Sequence, residues 1–231
     1  MIKGLTEYEK YKVLRPIIGE CEYDDFNMPV IRKTSIDVID WEKLKVIGFQ
    51  NASAKTSDKN TLVTMFNYDK RLLRLWNDPL KYVGLFQGFA AVGAPDFSLY
   101  PLMNINELRH NVYMSRWLGV TWQNYYCTVF PTIGWAMPDT YDICFSGIEK
   151  GSIVIVSTIG CQEQTEAFIN GFDEMKYRIN PPLIIVIGDM IDGMTGDFIN
   201  FRYDECFNPS SKYDQLRLDG ISRLFTIKEV V

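Results

Sequence analysis

Hydrophobic residues fall along this chain in short unbroken runs, separated by stretches with a helical period. Ile153-Val154-Ile155-Val156 and Leu183-Ile184-Ile185-Val186-Ile187 show no polar alternation, the pattern of parallel strands covered on both faces. Val46-Ile47-Gly48-Phe49, Leu62-Val63-Thr64-Met65-Phe66 and Phe89-Ala90-Ala91-Val92 are shorter candidate strands. Cys127 to Ile133 is another, but proline has no N–H to give the ladder, so the strand must end or lie at an edge near Pro131. Between these runs the period changes. Leu72, Leu73 and Trp76 mark a helix over Asp69 to Trp76, stopped by Asn77-Asp78-Pro79. Leu102, Ile105, Leu108, Val112, Ser115, Gly119 and Trp122 share one side of the longest helix. Gly119 costs that helix about 1 kcal/mol relative to Ala, and close packing against strands is the plain reason to keep it. Phe168, Phe172, Met175 and Ile179 form the apolar face of a helix starting from Gln162 and ended by Asn180-Pro181-Pro182. Tyr141 to Ile148 reads as a short helix and Phe198 to Tyr203 as an edge strand, while Tyr82 to Phe86 stays unassigned.

Strands alternating with helices from about residue 45 to residue 188 predict βαβ units with right-handed crossovers. The expected class is α/β: a mainly parallel sheet flanked by helices, as an open three-layer sandwich, with an incomplete or distorted β/α barrel as the alternative. A single domain is expected, divided into an N-terminal wrap or edge segment (1–44), an α/β core (45–190) and a C-terminal extension packed on the core (191–231). The extension contains a turn at Asn208-Pro209-Ser210-Ser211.

Composition narrows the setting. With 231 residues, 47% of them hydrophobic, the chain can bury a sizeable core. A net charge of −5 argues against strong sequence-independent nucleic-acid binding, which needs clustered Lys and Arg to displace counterions. Five widely spaced cysteines with no C-x-x-C pair fit reduced thiols rather than a disulfide framework or a zinc site. The amino end has no apolar signal core, and the run Leu183 to Ile187 is far too short to span a bilayer. A cytoplasmic protein with no membrane partner is expected.

The candidate chemistry follows largely from exclusion. The single histidine, His110, falls inside the longest helix, which speaks against histidine-dependent triads and multi-histidine metal sites. Phosphate-cradling glycine loops and a G-x-S-x-G elbow are both absent. No cofactor and no metal are therefore expected, and carboxylates, hydroxyls or backbone amides must carry any reaction. A parallel sheet places such groups at the carboxyl ends of its strands, where open α/β sheets bind ligands. Gly93-Ala94-Pro95-Asp96-Phe97-Ser98-Leu99-Tyr100 follows one candidate strand, Trp135 and Asp139 another, Ser157 and Thr158 a third, and Asp189 a fourth. The catalytic candidates are Asp96, Tyr100 and Asp189. Phe97, Ser98, Trp135, Ser157, Thr158 and Arg116 are the substrate-binding candidates: rings to stack, a helix N-terminus at Ser157-Thr158 to receive an anion, and a guanidinium to clamp one. Each also has a plain structural role. Asp96, Ser157 and Thr158 are natural helix caps, Trp135 a packing lid, Asp189 a turn residue, and the Arg109, Tyr113, Arg116 stripe a solvated face. A divalent metal held by Asp96, Asp189 and Asp139 is a lesser variant.

Trp76-Asn77-Asp78-Pro79, PDFSLY (Pro95 to Tyr100), SRWLG (Ser115 to Gly119), VFPT (Val129 to Thr132), CFSGIEKGS (Cys144 to Ser152) and STIG (Ser157 to Gly160) stand in an order and spacing that resembles an uncharacterised bacterial family, domain of unknown function 4417, also met in phages and other mobile elements. The resemblance covers roughly residues 60 to 190 and departs from the family pattern after PDFSLY, where an acid is usual and Leu102 or a neighbour stands. It implies a mobile-element setting and assigns no catalyst. Separately, a strand followed by an acidic and aromatic turn is similar in layout to the water-activating segment of the uracil-DNA glycosylase superfamily, whose histidine-bearing second motif this chain lacks. The expected function is a metal-independent, carboxylate-dependent hydrolase acting on a nucleotide, nucleobase or sugar-containing substrate, in its most concrete form at an N-glycosidic bond. The alternative is a non-catalytic module of a phage or mobile element that binds a protein, a nucleic acid or a nucleotide.

Overall fold

A computed structural model of the chain describes residue 4 and residues 6–203; the turn expected at Asn208 to Ser211 lies outside them. The strands are β1 (Lys45–Gly48), β2 (Thr61–Thr64), β3 (Ala91–Gly93), β4 (Val129–Phe130), β5 (Thr132–Ile133), β6 (Val154–Ser157), β7 (Ile184–Ile187) and β8 (Phe198–Phe201). The helices are α1 (Glu7–Leu14), α2 (Asp69–Asn77), α3 (Val83–Phe86), α4 (Ile105–Asn124), α5 (Tyr141–Cys144) and α6 (Thr165–Ile179). The strands form two four-stranded sheets, β1-β2-β3-β4 and β5-β6-β7-β8, and every pairing within them is parallel.

Pro131 is the joint between the sheets. The Phe130 carbonyl accepts from Ala94 N at 2.8 Å and the Pro131 carbonyl from Ile155 N at 2.9 Å. The segment thus serves β3 on one side and β6 on the other. The proline ends β4, as its missing donor requires, and β4 and β5 are each the terminal strand of their own sheet, as expected of a proline-bearing segment.

Strand order follows chain order, and the helices α2 to α6 bury their apolar faces in two clusters. Leu72, Leu75, Phe86, Trp117 and Trp122 pack on Val63 and Val92, and Phe168, Phe172 and Met175 pack on Val154, Val156, Ile184 and Val186. The alternate residues Val46, Leu62, Ala91, Phe130, Ile155, Ile185 and Phe201 meet in a third cluster on the other face. This is the period-two logic of a strand buried on both sides. Burying one such Ile or Leu contributes about 1.5–3 kcal/mol. Because the third cluster draws on both sheets, the sheets curl toward one another. Among the described residues β1 and β8 do not pair. Among the described residues the architecture is α/β, two four-stranded parallel sheets flanked by helices, with no closed barrel.

The long helix differs in detail from its expected face. It begins at Ile105 behind an Asn104 cap, and Leu102 lies outside it, 99% exposed. Gly119 makes a close approach, but to the N-terminal segment more than to a strand: a Cβ there would lie 2.5 Å from Ile31 Cδ1 and 3.6 Å from Val129 Cγ1 of β4. The N-terminal residues run along α4. Trp117 Nε1 donates to the Arg15 carbonyl at 2.8 Å, and Asn124 Nδ2 donates to the carbonyls of Ile18 and Glu20. Ile39 and Leu44 then join the inner cluster ahead of β1. No helix among the described residues is long and apolar enough to cross a membrane.

Candidate functional site

Parallel strands bring their carboxyl ends to one rim, and here the ends of β2, β3, β5 and β6 open into a cleft of about 400 Å³. Asp96 reaches it through Ala94-Pro95, directly after β3. It caps no helix, since the chain runs on without one to α4, whose N-terminus is capped by Asn104 accepting from Asn106 N. Burial is the main reason its carboxyl is pushed up to about 7; the Asp69 carboxylate adds to the rise and Arg116 opposes it. A group half ionised near neutral pH can take or give a proton there, and the same shift marks candidate functional carboxyls generally.

Asp69, the first residue of α2, holds the other side of the site. Its Oδ1 accepts from Ser98 N and Ser98 Oγ, both at 3.1 Å, tying the start of α2 to the PDFSLY connection. Ser98 gives its carbonyl to Asn111 Nδ2 of α4 at 2.8 Å. The connection is therefore anchored at both ends of one residue, and Asp96 stands in a fixed stretch of backbone. Ser98 Oγ is engaged in that anchoring.

Arg116 is only 2% exposed, the opposite of a solvated stripe. Its Nε donates to Ser146 O at 2.9 Å, Nη2 to Cys144 O at 2.9 Å and Nη1 to Thr132 O at 3.1 Å. Burial pulls its pKa down to about 10, against the pull of Cys144, Asp24 and Asp96, so it stays a cation at neutral pH. It lies behind Asp96 and is not among the residues lining the cleft: the space between them is a void of about 10 Å³ bounded by both apolar and polar groups, among them Phe97, Leu99, Asn111, Ser115 and Thr132. That is about the size of one water. Thr132 Oγ1, buried without a hydrogen-bond partner, faces the same surroundings.

The remaining expected residues divide. Phe97, Tyr100, Trp135 and Ser157 line the cleft with Asp96 and Ser98. Trp135 is also a packed wall: its ring lies 5.0 Å from that of Phe168, and a Cβ on Gly171 of α6 would come within 2.2 Å of its Nε1. The absence of a side chain at Gly171 is what admits the indole. Ser157 Oγ accepts from Ile159 N at 3.2 Å in a local turn. Thr158 does not reach the cleft; it is 1% exposed and turned to β7, with its N–H on the Ile187 carbonyl. No helix starts at Ser157-Thr158, because α6 begins at Thr165 after Gln164, so the anion site expected there is not formed. Asp189 lies exposed outside the lining, its carbonyl accepting from Gln162. Asp96, Asp139 and Asp189 do not converge, and no group of three or more metal-ligating side chains occurs among the described residues. His110 is exposed, edge-on to Trp76 at 5.9 Å between rings.

Asp69 and its neighbours Phe66, Asn67 and Tyr68 are lining residues that the sequence reading passed over, as is Tyr203. The signal for the first group was present. They follow the Leu62 to Phe66 run, a candidate strand whose carboxyl end belongs to the same rim as that of Phe89 to Val92.

The model for the Domain of unknown function (DUF4417) matches residues 23–204, a span that takes in all the described residues lining the cleft. The Gene 1 protein of Mycobacterium phage L5 is 37% identical over 125 residues, 53% of this chain and 55% of the phage protein. The Gene 1 protein of Mycobacterium phage D29 is 37% identical over 123 residues, 52% of this chain and 46% of that protein. The chain thus spans about half the length of these relatives. No solved structure matches it. Phage relatives and a family match over both sheets agree with the resemblance carried by PDFSLY and STIG: this chain belongs to the DUF4417 family.

Proposed function

We propose that the cleft is the active site of a metal-independent, carboxylate-dependent hydrolase, with Asp96 as its general base and a nucleotide, nucleobase or sugar-containing molecule as substrate. The observation that carries this reading is a carboxyl with a pKa of about 7 standing in an aromatic-walled cleft at the strand ends. Asp96 takes a proton from water as the water oxygen bonds to the electrophilic carbon. The bond to the leaving group breaks with its electron pair, and the proton held by Asp96 passes to that group. At an N-glycosidic bond the carbon is the anomeric one and the leaving atom is the base nitrogen. Phe97 and Trp135 form walls for a flat ring, and Tyr100 stands at the mouth.

A base must be ionised to act, so kcat/KM should rise about tenfold per pH unit below 7 and level above it. Release of free base or reducing sugar from a panel of nucleosides, nucleotides and modified DNA, followed from pH 5 to pH 9, checks this. A profile already flat at pH 5 would contradict a base of this pKa. Binding of panel members without turnover at any pH would favour the non-catalytic module.

A further inference from the structure

The walls of the cleft constrain its ligand beyond the reaction. Among the described residues, six aromatic side chains line it, those of Phe66, Tyr68, Phe97, Tyr100, Trp135 and Tyr203. Among the described lining residues the ionisable acids are Asp69 and Asp96, and none is Lys or Arg. Arg116, the buried cation nearest Asp96, has its guanidinium committed to the carbonyls of Thr132, Cys144 and Ser146. Helix N-termini offer an anion little more. The one at α2 already carries Asp69, and α6 begins away from the lining residues. A phosphate group entering here would face a carboxylate, with no Lys or Arg among the described lining residues to pair it.

Asp69 has a further property. Its Oδ1 is taken by Ser98, while among the described residues Oδ2 accepts no hydrogen bond. An ionised carboxylate is an acceptor and nothing else. Beside aromatic rings it is complemented by a flat ring bearing N–H donors, and a positive charge on that ring adds attraction to the ring faces.

We infer that the cleft takes an amino-bearing nucleoside or free nucleobase, uncharged or cationic, with its amino group on Asp69, and discriminates against phosphorylated forms. This rests on reading the cleft as the substrate site and narrows that reading from nucleotides to unphosphorylated ligands. A 400 Å³ cleft is in the range that accepts ligands of this size.

Calorimetric titration of the full chain at low ionic strength with adenosine, cytidine and their 5′-monophosphates tests it. The Asp96→Asn variant is used alongside wild type so that binding is read without turnover. The expected result is measurable binding of at least one of the two nucleosides, with the 5′-phosphate raising its Kd at least tenfold. Asp69→Asn, which keeps an oxygen for Ser98 but loses the charge, should weaken the nucleoside severalfold and narrow the gap to the monophosphate. Should that variant not fold, the wild-type ratio decides alone. Monophosphates binding as tightly as nucleosides, or no nucleoside binding at millimolar concentration, would overturn the inference. The two readings fail separately. Nucleoside binding without hydrolysis by wild type defeats the hydrolase and leaves the ligand class standing, whereas hydrolysis confined to phosphorylated substrates does the reverse.

Discussion

Replacing Asp96 by Asn should make the protein more stable at pH 8 and, under the proposed hydrolase reading, abolish turnover. The folded carboxyl titrates at about 7 against 3.8 for the free group. Between those values the folded chain keeps a proton that the unfolded chain has released. Stability therefore falls as pH rises from about 4 to about 7, and the full penalty persists above. A shift of this size corresponds to about 4 kcal/mol at most. Because one side of Asp96 opens on the cleft, about 2–4 kcal/mol is the expected gain for the neutral amide. For a chain of this length that is a rise in Tm of roughly 5–10 °C. At pH 4, where the native carboxyl is also neutral, the two proteins should melt together. Thermal unfolding at both pH values reads this out. A carboxylate kept for structure, as a cap or an ion-pair partner, behaves in the opposite way: its amide melts earlier at pH 8. Stability given up at a site of chemistry is the usual trade-off.

Arg116→Met should be the most damaging single change in the core. The methionine fills much of the stem's volume and supplies no donors. The carbonyls of Thr132, Cys144 and Ser146 then lose their partner inside a region from which Arg116 itself is 98% shielded, being 2% exposed. Loss of charge-assisted bonds to buried acceptors is expected to cost about 3–5 kcal/mol, or roughly 10 °C or more in Tm. Urea denaturation with an unchanged slope and a lower midpoint is the form the result should take. The charge has a second effect. Arg116 holds the Asp96 pKa down, so whatever activity survives should have its pH midpoint moved upward.

The parallel frame was legible because its signals are redundant. Ile153 to Val156 and Leu183 to Ile187 are apolar on both faces, and Phe168, Phe172, Met175 and Ile179 repeat at helical spacing; all are buried in the structure. The rim was legible through Asp96, Phe97 and Trp135 for the same reason, since strand ends in a parallel sheet converge. Other features depended on direction rather than pattern. Thr158 and Ser157 are neighbours in sequence, yet adjacent side chains on an extended stretch point to opposite sides, so one lines the cleft and the other faces β7. Arg116 has helical spacing from Arg109 and is buried where Arg109 is exposed, because the carbonyls that turn it inward belong to β5 and to the end of α5, far away in sequence. Asp69 looked like an ordinary first-turn acid, favourable to the helix dipole. Its second role depends on Ser98, which only the folded chain brings to it. The curl of the sheets likewise comes from strand order and the shared inner cluster, neither of which a run of apolar residues encodes.

The central claim is that Asp96 holds its proton into the neutral range within the cleft. Side-chain carboxyl NMR follows it directly, with the resonance assigned by its absence in Asp96→Asn. A titration midpoint about 7 is predicted; a midpoint near 4 would contradict the account.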